Sequence, residues 1–198
     1  MKISTSNKQV ILASKSEIRA NLLKKYGVNV KITDHLVNEK LIKENHAKSK
    51  QYLLSDFLAK EKAKSVEHLF KGQIIIGSDQ ILICDNKLFN KPENKEEAMQ
   101  NLLFLQNKKH ILISSICILT EERKYLLHRE EAILFMKKVP KKKIEKYVDE
   151  NQDIIFSTVG SYKIENDKLN CLNIVKGNTE TILGFPISKF LPILKDKI

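Results

Sequence analysis

No apolar run in the 198-residue chain approaches the roughly 20 residues that a membrane-spanning helix requires, so no membrane span is expected. The start, MKISTSNKQVILAS, is basic but has neither a long apolar stretch nor a small-residue cleavage site, and it reads as mature and unsignalled. There is no long tract of Pro, Gly or Ser. With 42% apolar and 30% charged residues, the composition is that of a folded protein with a real core, not of a disordered one. Cysteine is scarce: Cys84, Cys117 and Cys171 are far apart, odd in number and set among apolar residues. They are expected to be reduced core thiols, which sets aside a disulfide framework, structural zinc and thiol catalysis, and implies a reducing, cytoplasmic setting. The five histidines, His35, His46, His68, His110 and His128, show no H-E-x-x-H pattern or i, i+4 pairing, so a histidine-based metal site is not expected. Glycine-rich signatures are missing too. There is no Walker loop, no dinucleotide fingerprint, and Gly77-Ser78-Asp79 lacks the second glycine of a nucleophile elbow.

What is abundant is lysine. A formal net charge of +11 suits a polyanionic partner, whether nucleic acid, membrane surface or phosphorylated small molecule. The lysines are dispersed like solvated faces, and only Lys141 to Lys143 form a run, so a compositional bias is the simpler account. Aromatic residues make up only 7% and do not interleave with basic ones, which weighs against a nucleic-acid reader. Arginine occurs at Arg19, Arg123 and Arg129, and in a lysine-rich chain each of these positions is a candidate for the planar bidentate fork.

The pattern along the chain is that of a single α/β domain, residues 1–198, with a mixed sheet. It opens with a strand at Gln9–Ala13, a helix at Ser16–Tyr26 closed by Gly27, and a strand at Val28–Ile32. A polar connection over Thr33–Ser49 follows, then a helix from Lys50 to Phe70 with Leu53, Leu54, Phe57, Leu58, Ala63 and Val66 as its apolar stripe. After the Ile74–Cys84 strand come a turn at Asp85-Asn86-Lys87 and a helix over Lys95–Leu105 capped by Asn94. Two long strands, Lys109–Thr120 and Lys124–Met136, read as a hairpin, and Pro140 starts a basic amphipathic helix to about Glu150. The end holds an apolar segment over Leu169–Val175 and a final helix.

Two places can carry chemistry. In IIIGSDQIL, Ile74–Leu82, Asp79 interrupts a β-branched apolar run. A carboxylate buried there without a partner costs several kcal/mol, so such an acid marks a turn, a metal or a reaction. Gly77 and Ser78 are expected to bend the chain and expose Asp79 at a strand end; a structural aspartate capping a turn is the competing account. Second, Ser14, Ser16 and Arg19 cluster where the first strand feeds its helix, which is the geometry of an anion site, although plain capping by Ser16 beside a solvated Arg19 explains the same residues. Lys62, Lys91 and Glu165 carry no signal of their own.

LASKSEIRANLL, IIIGSDQILICDNKLFNKP, NKEEAMQNLLFLQNKKHILISS, and SYKIE followed by KGNTETILGFPI, in that order, resemble the signature blocks of the Maf (septum formation inhibitor-like) nucleotide pyrophosphatases. The resemblance covers nearly the whole chain. It implies an elongated mixed sheet flanked by helices, similar to inosine triphosphatases, with a cleft between two lobes. It also implies hydrolysis of a nucleoside triphosphate to monophosphate and pyrophosphate with a divalent cation, Mg²⁺ or Mn²⁺. By motif position Asp79 would be the proton acceptor, Glu39 and Asp79 the metal carboxylates, and Ser14, Ser16, Arg19, Lys62, Gln80, Lys91 and Glu165 the substrate-binding set. The S-D-Q form is more similar to the branch acting on 7-methyl-GTP than to that acting on dTTP and UTP. Glu17 and Ile18 stand where many members have proline and a second arginine, and Asn166, Asp167 and Lys168 replace the usual glycines. A homodimer is compatible with the sequence, which does not fix oligomeric state. The alternative reading is a non-catalytic protein that binds nucleic acid or regulates septation, and a third is a different phosphohydrolase of inosine triphosphatase type.

Overall fold

The computed structural model describes residues 8–46 and 51–197. The helix start expected at Lys50 lies outside the described residues. Seven strands, β1 (Val10–Ala13), β2 (Val30–Thr33), β3 (Ile75–Cys84), β4 (Lys87–Phe89), β5 (Lys108–Leu119), β6 (Tyr125–Met136) and β7 (Leu172–Lys176), form one sheet in the order β2-β1-β3-β5-β6-β7, with β4 on β3. β1 runs parallel to β2 and β3, whereas β3–β4 and β6–β7 are antiparallel, so the sheet is mixed, as the sequence pattern implies. The helices are α1 (Glu17–Lys25), α2 (Glu39–His46), α3 (Leu54–Ser65), α4 (Lys95–Leu105), α5 (Lys141–Glu150), α6 (Gln152–Ser157), α7 (Thr179–Ile182) and α8 (Leu191–Lys197). Among the described residues no helix is long and apolar enough to cross a membrane. The chain forms two compact units, Met1–Asp79 with Ser114–Glu130 and Thr179–Ile198, and Gln80–Ile113 with Glu131–Asn178.

In the first unit, strand alternation sorts the core into two layers. Val10, Leu12, Ile74, Ile76, Ile116 and Ile118 pack with Ala20 and Leu23 of α1 and with Phe185, Ile187, Phe190 and Leu194. Ile11, Ala13, Ile75 and Leu119 pack on the other side with Ala63 and Val66. Both faces are covered, which is why β1 and β3 read as continuous apolar runs. α1 begins as expected, with the Ser16 hydroxyl accepting from the Arg19 N–H, and ends before Gly27 at φ +79°.

Three expectations need correction here. The Thr33–Ser49 connection is not all loop, because Asn38 caps α2 by accepting from the Leu41 N–H at 3.2 Å. The helix to Phe70 is broken into a short 3₁₀ turn at Gln51–Leu53, α3, and a second 3₁₀ turn at Glu67–Leu69. Its buried stripe is Leu54, Ser55, Leu58, Ala59, Lys62 and Ala63, while Leu53 and Phe57 are exposed. A polar Ser and a Lys therefore occupy places on the face that the apolar pattern assigned to Leu and Phe.

The second unit contains a two-residue hairpin turn at Asp85 and Asn86, whose φ of 48° and 62° define the positive-φ geometry that continues the strand twist. Asn94 caps α4 through its side chain and the Glu97 N–H at 2.9 Å. Ile144, Tyr147 and Val148 form the buried face of α5, and the Tyr147 hydroxyl donates to the Ser161 carbonyl at 3.1 Å. His110, fully buried, pairs with the Tyr162 hydroxyl. Cys84, Cys117 and Cys171 are free and buried, and burial raises Cys117 and Cys171 to a pKa of about 12, as inert core thiols require.

Candidate active site

Asp79 does not lie at a strand end. β3 runs unbroken from Ile75 to Cys84, and Asp79 sits inside it at 5% exposure. Gly77 does not bend the chain either. A Cβ at that position would fall 2.0 Å from the Ala59 carbonyl oxygen and 2.7 Å from the Ala63 nitrogen. Gly77, Ala59 and Ala63 are small because α3 crosses β3 there at close range. That approach places Lys62, 4% exposed and lodged between Ala59 and Ala63 on the buried face of α3, directly on the strand.

Alternation puts Asp79 on the same side of β3 as Ile75 and Gly77, facing α3, and Ser78 on the other. Lys62 Nζ accordingly donates to Asp79 Oδ1 at 2.6 Å, and the Ser78 hydroxyl donates to the Gly184 carbonyl at 3.1 Å. Lys62 Nζ also reaches Glu39 Oε1 at 2.7 Å, so one ammonium bridges two carboxylates. Glu39, in the first turn of α2, is further met by His35 at 3.2 Å and by Lys43 at 3.5 Å. Its carboxyl is held well below the usual carboxylate range, first by the His35 hydrogen bond and then by the Lys62 and Lys43 charges, against the opposing effect of burial.

Arg19 approaches the same stretch from the other side. Its Nη1 donates to the Ser78 carbonyl at 2.8 Å and to the Ser14 hydroxyl at 3.3 Å, and the Ser14 hydroxyl also accepts from the Ser16 N–H at 3.2 Å. Arg19 is therefore not the solvated side chain of the simple capping account. Burial lowers its pKa, and the nearby Asp79 and Glu39 charges oppose that shift. The structure thus brings Ser14, Arg19, Glu39, Lys62 and Asp79 together in the first unit, while Ser16 serves as the α1 cap. Gln80, partly buried on β3, Lys91, exposed ahead of buried Pro92, and Glu165, exposed in a 3₁₀ turn at Ile164–Asn166, belong to the second unit.

Sequence reasoning missed His35, Lys43 and the Ser78 carbonyl. The signal for the first two was Asn38: once it is read as a cap, His35, Glu39 and Lys43 are spaced four apart around the start of α2.

Asp79 Oδ2 is buried and has no hydrogen-bond partner among the described residues, whereas Oδ1 accepts from Lys62. An orphaned carboxylate oxygen is a place for a cation or for a proton donor such as water. No group of three or more His, Cys, Asp or Glu residues able to hold a metal ion occurs among the described residues. Asp79 Oδ2 is a single carboxylate oxygen of the kind that contributes to a Mg²⁺ site completed by water and phosphate oxygens, whereas both Glu39 oxygens already carry contacts, Oε1 with His35 and Lys62 and Oε2 with Lys43.

Comparison with known proteins defines the class first by fold. The chain superposes on the Staphylococcus aureus Ham1 protein with a TM-score of 0.51 and 11% identity, over 96% of this chain and 100% of that one, which shows a shared fold. A family model described as Maf-like protein matches residues 9–197, and the chain belongs to that family. It is 30% identical over 190 residues to a Pelagibacter ubique protein named nucleoside triphosphate pyrophosphatase, covering 95% of this chain and 97% of the relative. It is 32% identical over 185 residues to a Bartonella henselae protein named 7-methyl-GTP pyrophosphatase, covering 93% and 92%.

Proposed function

We propose that this chain is a nucleoside triphosphate pyrophosphatase that hydrolyses its substrate to the monophosphate and pyrophosphate, with Asp79 at the reacting centre. Family membership and the names of its relatives support the reaction class. The observation that carries the assignment of Asp79 is its pairing: one oxygen is pinned by Lys62 and the other is buried and open. A carboxylate fixed in this way can accept a proton from a water without first rearranging. In the first unit Lys62 and Arg19 would supply positive charge for the phosphates beside Ser14; Gln80, Lys91 and Glu165 are assigned to substrate binding by motif position alone. Ser16 acts through the start of α1.

Asp79, with Glu39 by motif position alone, would hold the divalent cation, Mg²⁺ or Mn²⁺, which when bound neutralises charge on the phosphoryl oxygens. Within the family the S-D-Q motif at Ser78-Asp79-Gln80 favours a 7-methyl-GTP-type substrate over dTTP or UTP. The test is pyrophosphate release with Mg²⁺ or Mn²⁺ across ordinary and 7-methylated nucleoside triphosphates, run beside Asp79→Asn. Release that falls about 10²-fold or more in the variant, with binding of the nucleotide nearly kept, is the expected result. Near-normal turnover of Asp79→Asn overturns the assignment of Asp79. No release from any substrate, together with salt-dependent nucleic-acid binding, overturns the enzyme reading.

A further inference from the structure

The segment between β2 and α2 contributes a side chain whose two ring nitrogens are engaged differently. His35 is partly buried, with 19% of its side chain exposed. The Val37 backbone N–H donates to His35 Nδ1 at 3.3 Å, so Nδ1 is the accepting nitrogen of the ring. Nε2 lies 3.2 Å from Glu39 Oε1 and donates to it. The same Oε1 takes the Lys62 ammonium at 2.7 Å, and Lys62 in turn donates to Asp79 Oδ1 at 2.6 Å. His35, Glu39, Lys62 and Asp79 therefore form an ordered row of hydrogen bonds in which the donor and acceptor of each bond are fixed by the next.

The row has a weak place, and His35 stands at it. Glu39 occupies the first turn of an eight-residue helix and is 33% exposed, so its carboxylate has room to change rotamer. Lys43 touches only the other oxygen, at 3.5 Å, too far to fix it well. Lys62 is a single flexible ammonium shared between two acceptors. A planar ring locked by a backbone N–H is the rigid contact available to Glu39.

We propose that His35 is a positioning residue: it holds the Glu39 carboxylate on Lys62 and so keeps the Lys62 ammonium on Asp79. His35 meets Glu39 and Val37, and it acts on Asp79 through Glu39 and Lys62. As a statement about turnover, the inference rests on the pyrophosphatase reading of this site. As a statement about the Lys62 ammonium, it does not.

The experiment compares His35→Ala, His35→Gln, Glu39→Gln and the His35→Ala/Glu39→Gln double variant. Turnover is expected to fall about tenfold in His35→Ala with KM changed less than about twofold, and to recover to within about threefold in His35→Gln, whose amide restores a donor. The double variant is expected to be no slower than Glu39→Gln alone, since His35 has nothing left to position. Full additivity of the two changes, or a loss in His35→Gln equal to that in His35→Ala, overturns the proposal. Exchange of the Lys62 ammonium protons, followed by ¹H–¹⁵N spectroscopy, gives a readout that needs no turnover. Protection lost in His35→Ala and kept in His35→Gln supports the proposal, and protection unchanged in His35→Ala overturns it, with or without pyrophosphate release. Absent release combined with the expected exchange pattern overturns the enzyme reading alone.

Discussion

Asp79 and Lys62 are partners, yet their removal is not symmetrical. In Asp79→Asn the shape is kept and the ammonium still has Glu39 at 2.7 Å, so the buried cation is not stranded. In Lys62→Met the Asp79 carboxylate, 5% exposed, loses its one described partner, because Oδ2 already has none. Leaving a buried charge uncompensated costs about 3–5 kcal/mol. Urea unfolding should therefore show Lys62→Met destabilised by that amount and Asp79→Asn by about 1 kcal/mol or less, although both lose turnover. At this scale the sequence spoke clearly about Asp79, since an acid in a β-branched run is conspicuous. Lys62, one lysine among many, entered only by motif position and as a substrate-binding residue, because the partner that gives it meaning is 17 positions away.

At the scale of elements, the contact between α3 and β3 depends on Gly77. Gly77→Ala would put a methyl group 2.0 Å from backbone oxygen, which no side-chain rotation relieves, so α3 itself must move. A loss of about 2–3 kcal/mol is expected, with turnover falling further than stability alone explains because Lys62 moves with its helix. Thermal unfolding and kcat measured on the same preparation check both parts. Boundaries written in local chemistry were legible: Ser16 and Asn94 as caps, Gly27 as a stop, and the Asp85-Asn86 turn. The face of α3 was not, because a pattern built on apolar residues discards Ser55 and Lys62, the two positions where that helix buries polarity for a purpose. α2 escaped because its eight residues carry too short an apolar pattern to outweigh their charges.

For the whole molecule, the boundary between the two units falls within strands: β3, β5 and β6 each begin in one unit and end in the other. A composition scan looks for breaks between elements and cannot register a division that falls within strands. Acid sensitivity is also a property at this scale. Burial lowers the pKa of His110 to about 4, below its ordinary value near 6.5, so the unfolded chain binds the extra proton more readily than the folded one. Stability from this group is complete above about pH 6.5 and is lost as pH falls toward 4, by about 3 kcal/mol in all. Urea midpoints measured between pH 7 and pH 4 should fall in the parent and fall less in His110→Gln, once each is referred to its own value at pH 7.

The alternation of β3 carries a consequence for how this chain can change over time. Ser78 and Asp79 are neighbours in sequence but serve opposite sides of the sheet, one toward Gly184 and the other toward Lys62. Inserting or deleting a single residue between Ile75 and Ser78 would exchange their sides, sending the carboxylate into the layer of Phe185 and Ile187 and the hydroxyl to the ammonium. Substitutions along the apolar part of the strand leave that arrangement in place. What β3 must conserve ahead of Asp79 is its count of residues together with Gly77, and lineages of this chain should vary at Ile75 and Ile76 in letter but not in length.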